Sequence, residues 1–534
     1  MQTQCNSNSR SCFRPVAGFT QINKVIVRCN KRRLSKLFIC TWMVQCCLLS
    51  SVSAEQIVAG VGKVEITDRT NKMVNDPLYA KALVIKSDAS QLVIVTVDAV
   101  AIGGIGYIRN DFLANVRARL KTDLNIAPES LLVNASHCHG IVCADVEDRT
   151  VQAVRLALQK MVPVNVGAGT GSENRIMENR RLKLKSGAEA DVRHAYAIPA
   201  DEEVAAIGPI DPEIGLLRLD KLNGETLAVV YNFACHPIQG VPNGGNTADF
   251  PGFASKVIEE NLSDGTMAFY VQGCAGDINP VLYKDVHNPR DSEPFGNMLG
   301  LSVLRGLKST RSTPTAKLQV VHEVLKLPRG ADLEKRMAAN QAEQARLMTN
   351  LKGTSLNFKT FLSLFVQYKL SPEFPAYSSH RYLLDESLDR SDLKRMDSEN
   401  RANMEQYLKN VMIMEELTRL QTNFDLLKMH HSQNQVAGSD TVDAEIVGFR
   451  LGDFVMITFP GELTVEIGLN LKKAAPSPLT FVAGYTNGYI YYTPTLAQRQ
   501  NTGYAQEDCD CIVAPEWQEI FETKAMEILS RLGK

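Results

Sequence analysis

Two textures alternate along this chain. From Ile57 to about Pro328, short apolar runs rich in β-branched residues alternate with amphipathic stretches. The runs Ala82 to Ile85, Leu92 to Val97, Leu131 to Asn134, Val164 to Ala168 and Leu227 to Asn232 predict strands. Gly106 to Leu120, Val146 to Met161, Gly252 to Asn261 and Gly296 to Leu307 carry the helical period. Asn223-Gly224 sits between two β-rich runs, which is a hairpin signal. Across residues 331–440 the strand-like runs vanish and Glu, Lys, Gln, Met and Leu dominate, so this segment reads as a helical insertion. The β texture resumes at Ala444 to Arg450 and Phe454 to Phe459 around Gly452-Asp453, then at Leu479 to Ala483, before a terminal helix from Pro515 to Leu532. The pattern predicts an α/β (mixed α+β) layered domain, with mixed sheets flanked by helices, in two parts at 55–330 and 441–534.

The first 54 residues break this pattern. They hold eight Lys or Arg, no Asp or Glu, and six of the twelve cysteines. Lys31-Arg32-Arg33 and Lys36 precede an apolar run from Leu37 to Leu49, and Val52-Ser53-Ala54 has the small-residue spacing of a signal-peptidase site. Residues 1–54 therefore read as a signal peptide, and the protein as exported to a periplasm, cell envelope or medium; the apolar run is too short to span a bilayer. Without the leader's eight basic residues, 58 falls to 50 against 59 acidic, a net charge of −9. That balance gives no reason to expect nucleic acid or anionic lipid as the main partner. Six cysteines remain, at 138, 143, 235, 274, 509 and 511, and their pairing is not deducible from spacing.

Several strands end on metal-ligand side chains. His137-Cys138-His139 follows Leu131 to Asn134, and strand alternation would aim both imidazoles one way and Cys138 the other. His236 ends Val229 to Cys235 and is followed by a proline that cannot extend the strand. Glu462 follows Phe454 to Phe459. His, His and Glu form the ligand set of a catalytic zinc site with an open position. Glu462 also suits the N-terminus of the amphipathic stretch Leu463 to Lys473, which needs no metal. The tyrosines at 485, 489, 491 and 492 read as a packed edge or binding wall. Gly273-Cys-Ala-Gly276-Asp277-Ile-Asn279-Pro280 reads as a tight turn or a place of close backbone approach. His194, His287, His322, His380, His430 and His431 have no supporting context, and most of them read as exposed. No P-loop, dinucleotide fingerprint or nucleophile elbow is present.

In order, S-H-x-H, N-R, H-P, D-F-P-G, G-D-x-x-P, P-G-E and N-x-Y-x-x-Y resemble the neutral/alkaline, non-lysosomal ceramidase family in its short bacterial exported form, over about residues 57–328 and 444–505. The resemblance implies a Zn2+-dependent amidohydrolase acting on a linear amide such as an N-acyl lipid. It implies His137, His236, Glu462 and Tyr492 as zinc ligands, with His139, Arg180 and Tyr504 around the scissile amide. Asn279 stands where that family carries a serine regarded as catalytic. An amide is no nucleophile, although it can donate a hydrogen bond to developing negative charge. The alternative from another class is a non-catalytic, metal-binding envelope protein with the same fold. Substrate identity and oligomeric state stay open.

Overall fold

The strands Leu131–Ala135, Thr226–Phe233 and Met267–Gln272 are almost wholly buried, as continuous apolar runs must be when both faces of a sheet are covered. The structure, a computed structural model, describes residues 56–70, 73–191, 198–241, 244–281, 283, 287, 290–314, 316–375, 378–501 and 505–533. The leader, His194 and Tyr504 lie outside the described residues.

One mixed sheet runs in the order Met267–Gln272, Thr226–Phe233, Glu213–Lys221, Val162–Ser172, Val58–Glu65, Tyr79–Lys86, Gln91–Val97, Leu131–Ala135. Only the outermost pair at each end is parallel. A second sheet orders Leu318–Pro328, Thr441–Leu451, Phe454–Thr458 and Thr480–Ala483, and its last pair is parallel. Leu217, Leu219, Val230 and Phe269 of the first sheet share a core with Phe449, Phe454, Met456 and Phe481 of the second, so the sheets pack face to face. Helices Phe112–Leu124, Val146–Gln159, Asp249–Glu260 and Glu293–Leu307 cover the outside of the first sheet. Val465–Ala474 and Trp517–Leu532 cover the second. The layered α/β fold expected from the sequence is what the chain adopts.

Local differences have local causes. The helix expected from Gly106 begins at Phe112, because Gly103, Gly104 and Gly106 take φ of +83°, +76° and +75°, and the Asn110 side chain accepts from the Gly104 N–H instead. Strands Leu318–Pro328 and Thr441–Leu451 pair along their whole length, from Leu318↔Leu451 to Pro328↔Thr441. Between the ends of that pair lie helices Leu333–Asn350, Phe358–Leu370, Ser379–Ser387 and Asp392–Val436. An excursion that leaves and returns at adjacent strand ends disturbs no sheet pairing. No helix among the described residues is long and apolar enough to cross a membrane.

The two outer edges of the first sheet meet at one buried side chain. Asn134 Oδ1 accepts from the Gln272 N–H at 2.9 Å, and its Nδ2 donates to the Gly484 carbonyl at 2.8 Å and to Thr486 Oγ1 at 2.9 Å. Asn487 closes the same junction: its N–H donates to Val133 O at 2.9 Å, and its Oδ1 accepts from the Val133 N–H at 2.7 Å. Replacing Asn134 by Ala strands the Gln272 N–H away from water, while the Gly484 carbonyl keeps only the Thr486 hydroxyl, at 2.8 Å. We expect Asn134→Ala to lower unfolding stability by about 2–4 kcal/mol, read from the urea midpoint, with native secondary structure retained.

Candidate metal centre

Each residue of the centre follows a strand end at this junction. Leu131–Ala135 leads to His137, Thr226–Phe233 to His236, and Phe454–Thr458 to Glu462. The carboxyl ends of parallel strands are where crevices form in such sheets. His137 stands at φ +67°, outside the extended conformation, so the alternation expected for His137 and His139 does not hold. Instead His137 turns inward and is buried, Cys138 joins the core, and His139 is exposed with its ring 5.6 Å from that of His137. Glu462 does not open a helix either. It forms a two-residue bridge, Glu462↔Tyr492 and Leu463↔Thr493, and the helix starts at Val465.

The donor atoms of His137, His236 and Glu462 lie within 4.8 Å of one another, and all three side chains are buried. His137 Nδ1 lies 2.5 Å from Val100 O, and His236 Nδ1 lies 3.0 Å from Ile278 O. A carbonyl only accepts, so both Nδ1 atoms carry protons, and each neutral imidazole presents the Nε2 lone pair to the centre. There, His236 Nε2 is 3.1 Å and His137 Nε2 3.7 Å from Glu462 Oε2. Burial pulls His137 down to about 4 against an attraction to Glu462, and burial likewise lowers His236. Burial alone would raise Glu462, but the charge that the facing histidines carry once protonated, with the Tyr489 hydroxyl, pulls it below the usual carboxylate range. Two neutral imidazole lone pairs facing a carboxylate oxygen form an acceptor-to-acceptor arrangement that a cation resolves. The group could hold a metal.

Two tyrosines that the sequence left within a generic wall act individually here. The Tyr485 hydroxyl donates to Glu462 Oε2 at 3.2 Å, and Tyr489 donates to Oε1. Both phenols are pushed upward, first by burial and then by Glu462, so they remain donors. Tyr485, Asn487 and Tyr491 all take positive φ, a strain found where surrounding structure dictates a conformation. Tyr492 stacks on His236 with ring centroids 6.5 Å apart, and Arg180 Cζ lies 5.6 Å from the Tyr492 centroid.

Arg180 is engaged at every nitrogen. Nε donates to Glu507 at 2.6 Å, Nη1 to Asn279 Oδ1 at 3.0 Å, and Nη2 to Gly276 O. With its oxygen taken by Arg180, Asn279 keeps its protons on the other end of the amide. Asn279 is placed by the pairing of Ile278–Pro280 with Met177–Asn179. The close approach expected at Gly276 is made by protein backbone: a Cβ there would sit 2.7 Å from Glu462 O. Sequence reasoning missed Glu507, which had no signal beyond an acidic pair between Gln506 and Cys509. It also gave His430 no role, grouping it with histidines most of which read as exposed. His430 is fully buried, 2.8 Å from Asp510, and its ring lies 4.6 Å from that of Tyr491. The six described cysteines are all free.

Acid should loosen the metal-free centre. His137 titrates near 4 when folded against 6.5 ordinarily, so between those values the unfolded chain binds more protons and stability falls as pH falls. The depressed Glu462 adds to the loss at lower pH. We expect the thermal midpoint of metal-free protein to drop between pH 6.5 and 4, and the drop to shrink in His137→Asn. An equal drop in that variant would place the proton uptake elsewhere.

No family model matches the chain, and no curated protein matches it. Among solved structures, a neutral ceramidase from Pseudomonas aeruginosa matches with a TM-score of 0.54 and 16% identity, over 90% of this chain and 75% of that one. A ceramidase complexed with C2 matches with a TM-score of 0.55, the same identity and the same coverage. The chain therefore shares the fold of neutral ceramidase.

Proposed function

We propose that this chain is an exported, zinc-dependent hydrolase of the neutral ceramidase kind that cleaves a linear N-acyl amide or related acyl bond, with a lipid-like substrate. The observation that carries the reading is the pair of Nε2 lone pairs opposed to a buried carboxylate oxygen, His236 at 3.1 Å and His137 at 3.7 Å. Nitrogen and oxygen donors of this kind suit zinc. His137, His236, Glu462 and Tyr492 would hold the ion, which when bound supplies Lewis acidity toward a carbonyl and a water acidic enough to act near neutral pH.

The remaining residues bind and orient. Val100 and Ile278 carbonyls fix the imidazole tautomers. Tyr485 and Tyr489 hold the two Glu462 oxygens and so limit its rotation. His139, at the exposed side, is in a position to bind the substrate amide or pass a proton. Tyr504 is assigned the same task on the family resemblance alone. Arg180 acts less by reaching outward than by holding Asn279 and Tyr492, and Asn279 offers an amide N–H to the developing oxyanion. No covalent acyl-enzyme forms at Asn279.

Purified protein stripped of metal and reloaded with zinc should hydrolyse members of an N-acyl amide and ester panel. His236→Ala should neither bind one equivalent of zinc nor recover activity. Asn279→Ala should keep its zinc and lose about 100-fold in kcat, the usual cost of one oxyanion donor. Zinc-loaded protein inert across the whole panel would contradict the hydrolase reading while leaving the metal centre in place.

A further inference from the structure

The helix Phe358–Leu370 has two apolar faces, and folding uses one of them. Its start is fixed by a capping box, with Asn357 Oδ1 accepting from the Thr360 N–H at 3.1 Å and Thr360 Oγ1 accepting from the Asn357 N–H at 3.0 Å. Phe361 stacks on Tyr407 with centroids 4.5 Å apart, and the Tyr368 hydroxyl donates to Asp397 at 2.8 Å, so this face is spent on the long helix Asp392–Val436. Phe358, Leu362, Val366 and Leu370 follow at intervals of four, each step advancing about 40° around the axis. They form one continuous stripe, and they are 66%, 47%, 47% and 80% exposed. An ordinary surface helix is polar on the side away from its core.

The charges on this helix are of one sign. Lys359 and Lys369, both exposed, lie within the arc of the stripe, and no acidic residue occurs from 358 to 370. Lys369 Nζ sits 5.6 Å from the Phe365 ring centroid, a cation–π contact that keeps this charge beside the stripe. Phe and Leu with lysines and no acid is the composition of a helix lying in a lipid interface. The net acidity of the mature chain does not oppose this, since charges beyond about 8 Å are screened at physiological salt.

We propose that Phe358–Leu370 is a docking surface for an anionic lipid membrane, inserting the Phe358, Leu362, Val366 and Leu370 stripe among acyl chains with Lys359 and Lys369 at the phosphate level. The inference stands apart from the hydrolase reading, because it uses no residue of the metal centre. Purified protein should sediment with vesicles of phosphatidylcholine and phosphatidylglycerol. The triple variant Leu362→Gln, Val366→Gln, Leu370→Gln should bind them about 10-fold or more weakly. Lys359→Gln with Lys369→Gln should lose the preference for phosphatidylglycerol over phosphatidylcholine alone. The circular dichroism spectrum, thermal midpoint and zinc content of both variants should match the wild type, since every altered side chain is exposed. Wild type that fails to sediment, or a triple variant that sediments equally, overturns the proposal. So does a wild-type dimer that the triple variant converts to monomer while vesicles stay unbound, because a second copy then covers the stripe.

Discussion

The structure depends on holding the carboxyl ends of strands from two sheets at one point. The segment 484–487 does this by crossing between them: Gly484 N–H donates to Gln272 O, Tyr485 N–H to Gly461 O, Thr486 N–H to Phe459 O and Asn487 N–H to Val133 O. Asn134 ties the same ends from below through its side chain. These polar groups are buried, so each must be paired, and pairing them leaves one arrangement of the strand ends. The grouping of His137, His236 and Glu462 follows from that arrangement. His137 and Glu462 come from different sheets, and neither could find the other without the junction.

Buried charge also sits against this junction. Arg180 and Arg181 are both buried, among Glu507, Asp508, Asp191 and Asp277. Asp277 spends its oxygens on the Val465 N–H at 2.8 Å and Asn179 at 3.2 Å, which fixes the start of the helix after Glu462. The long helix Asp392–Val436 reaches the same region: His430 pairs with Asp510, whose carbonyl accepts from the Tyr492 N–H at 3.1 Å. The helical segment thus supports the backbone beside the centre while its far side remains open to solvent.

Much of this was legible in the sequence because it is periodic. The runs at Leu92 to Val97 and Leu227 to Asn232 became strands, and histidines at strand ends announced a shared site. What stayed hidden depends on geometry that periodicity does not encode. His137 leaves the extended conformation, so the pairing of two same-facing imidazoles gave way to one buried and one exposed ring. His430 showed no role, because its partner Asp510 lies 80 residues away in sequence. Tyr485 and Tyr489 are indistinguishable from neighbouring tyrosines until Glu462 is placed between them. Asn134, the one polar residue of the strand Leu131–Ala135, was read only as part of an apolar run.

Buried nitrogen and oxygen donors at this junction could hold a metal, and zinc is the ion proposed for them. Zinc K-edge X-ray absorption of the purified, zinc-loaded protein tests it most directly. The account predicts one zinc with a first shell of nitrogen and oxygen at about 2.0 Å, including imidazole multiple scattering, and no sulfur. A sulfur shell near about 2.3 Å would move the metal to cysteines such as Cys138 or Cys274, and it would contradict the assignment of His137, His236 and Glu462.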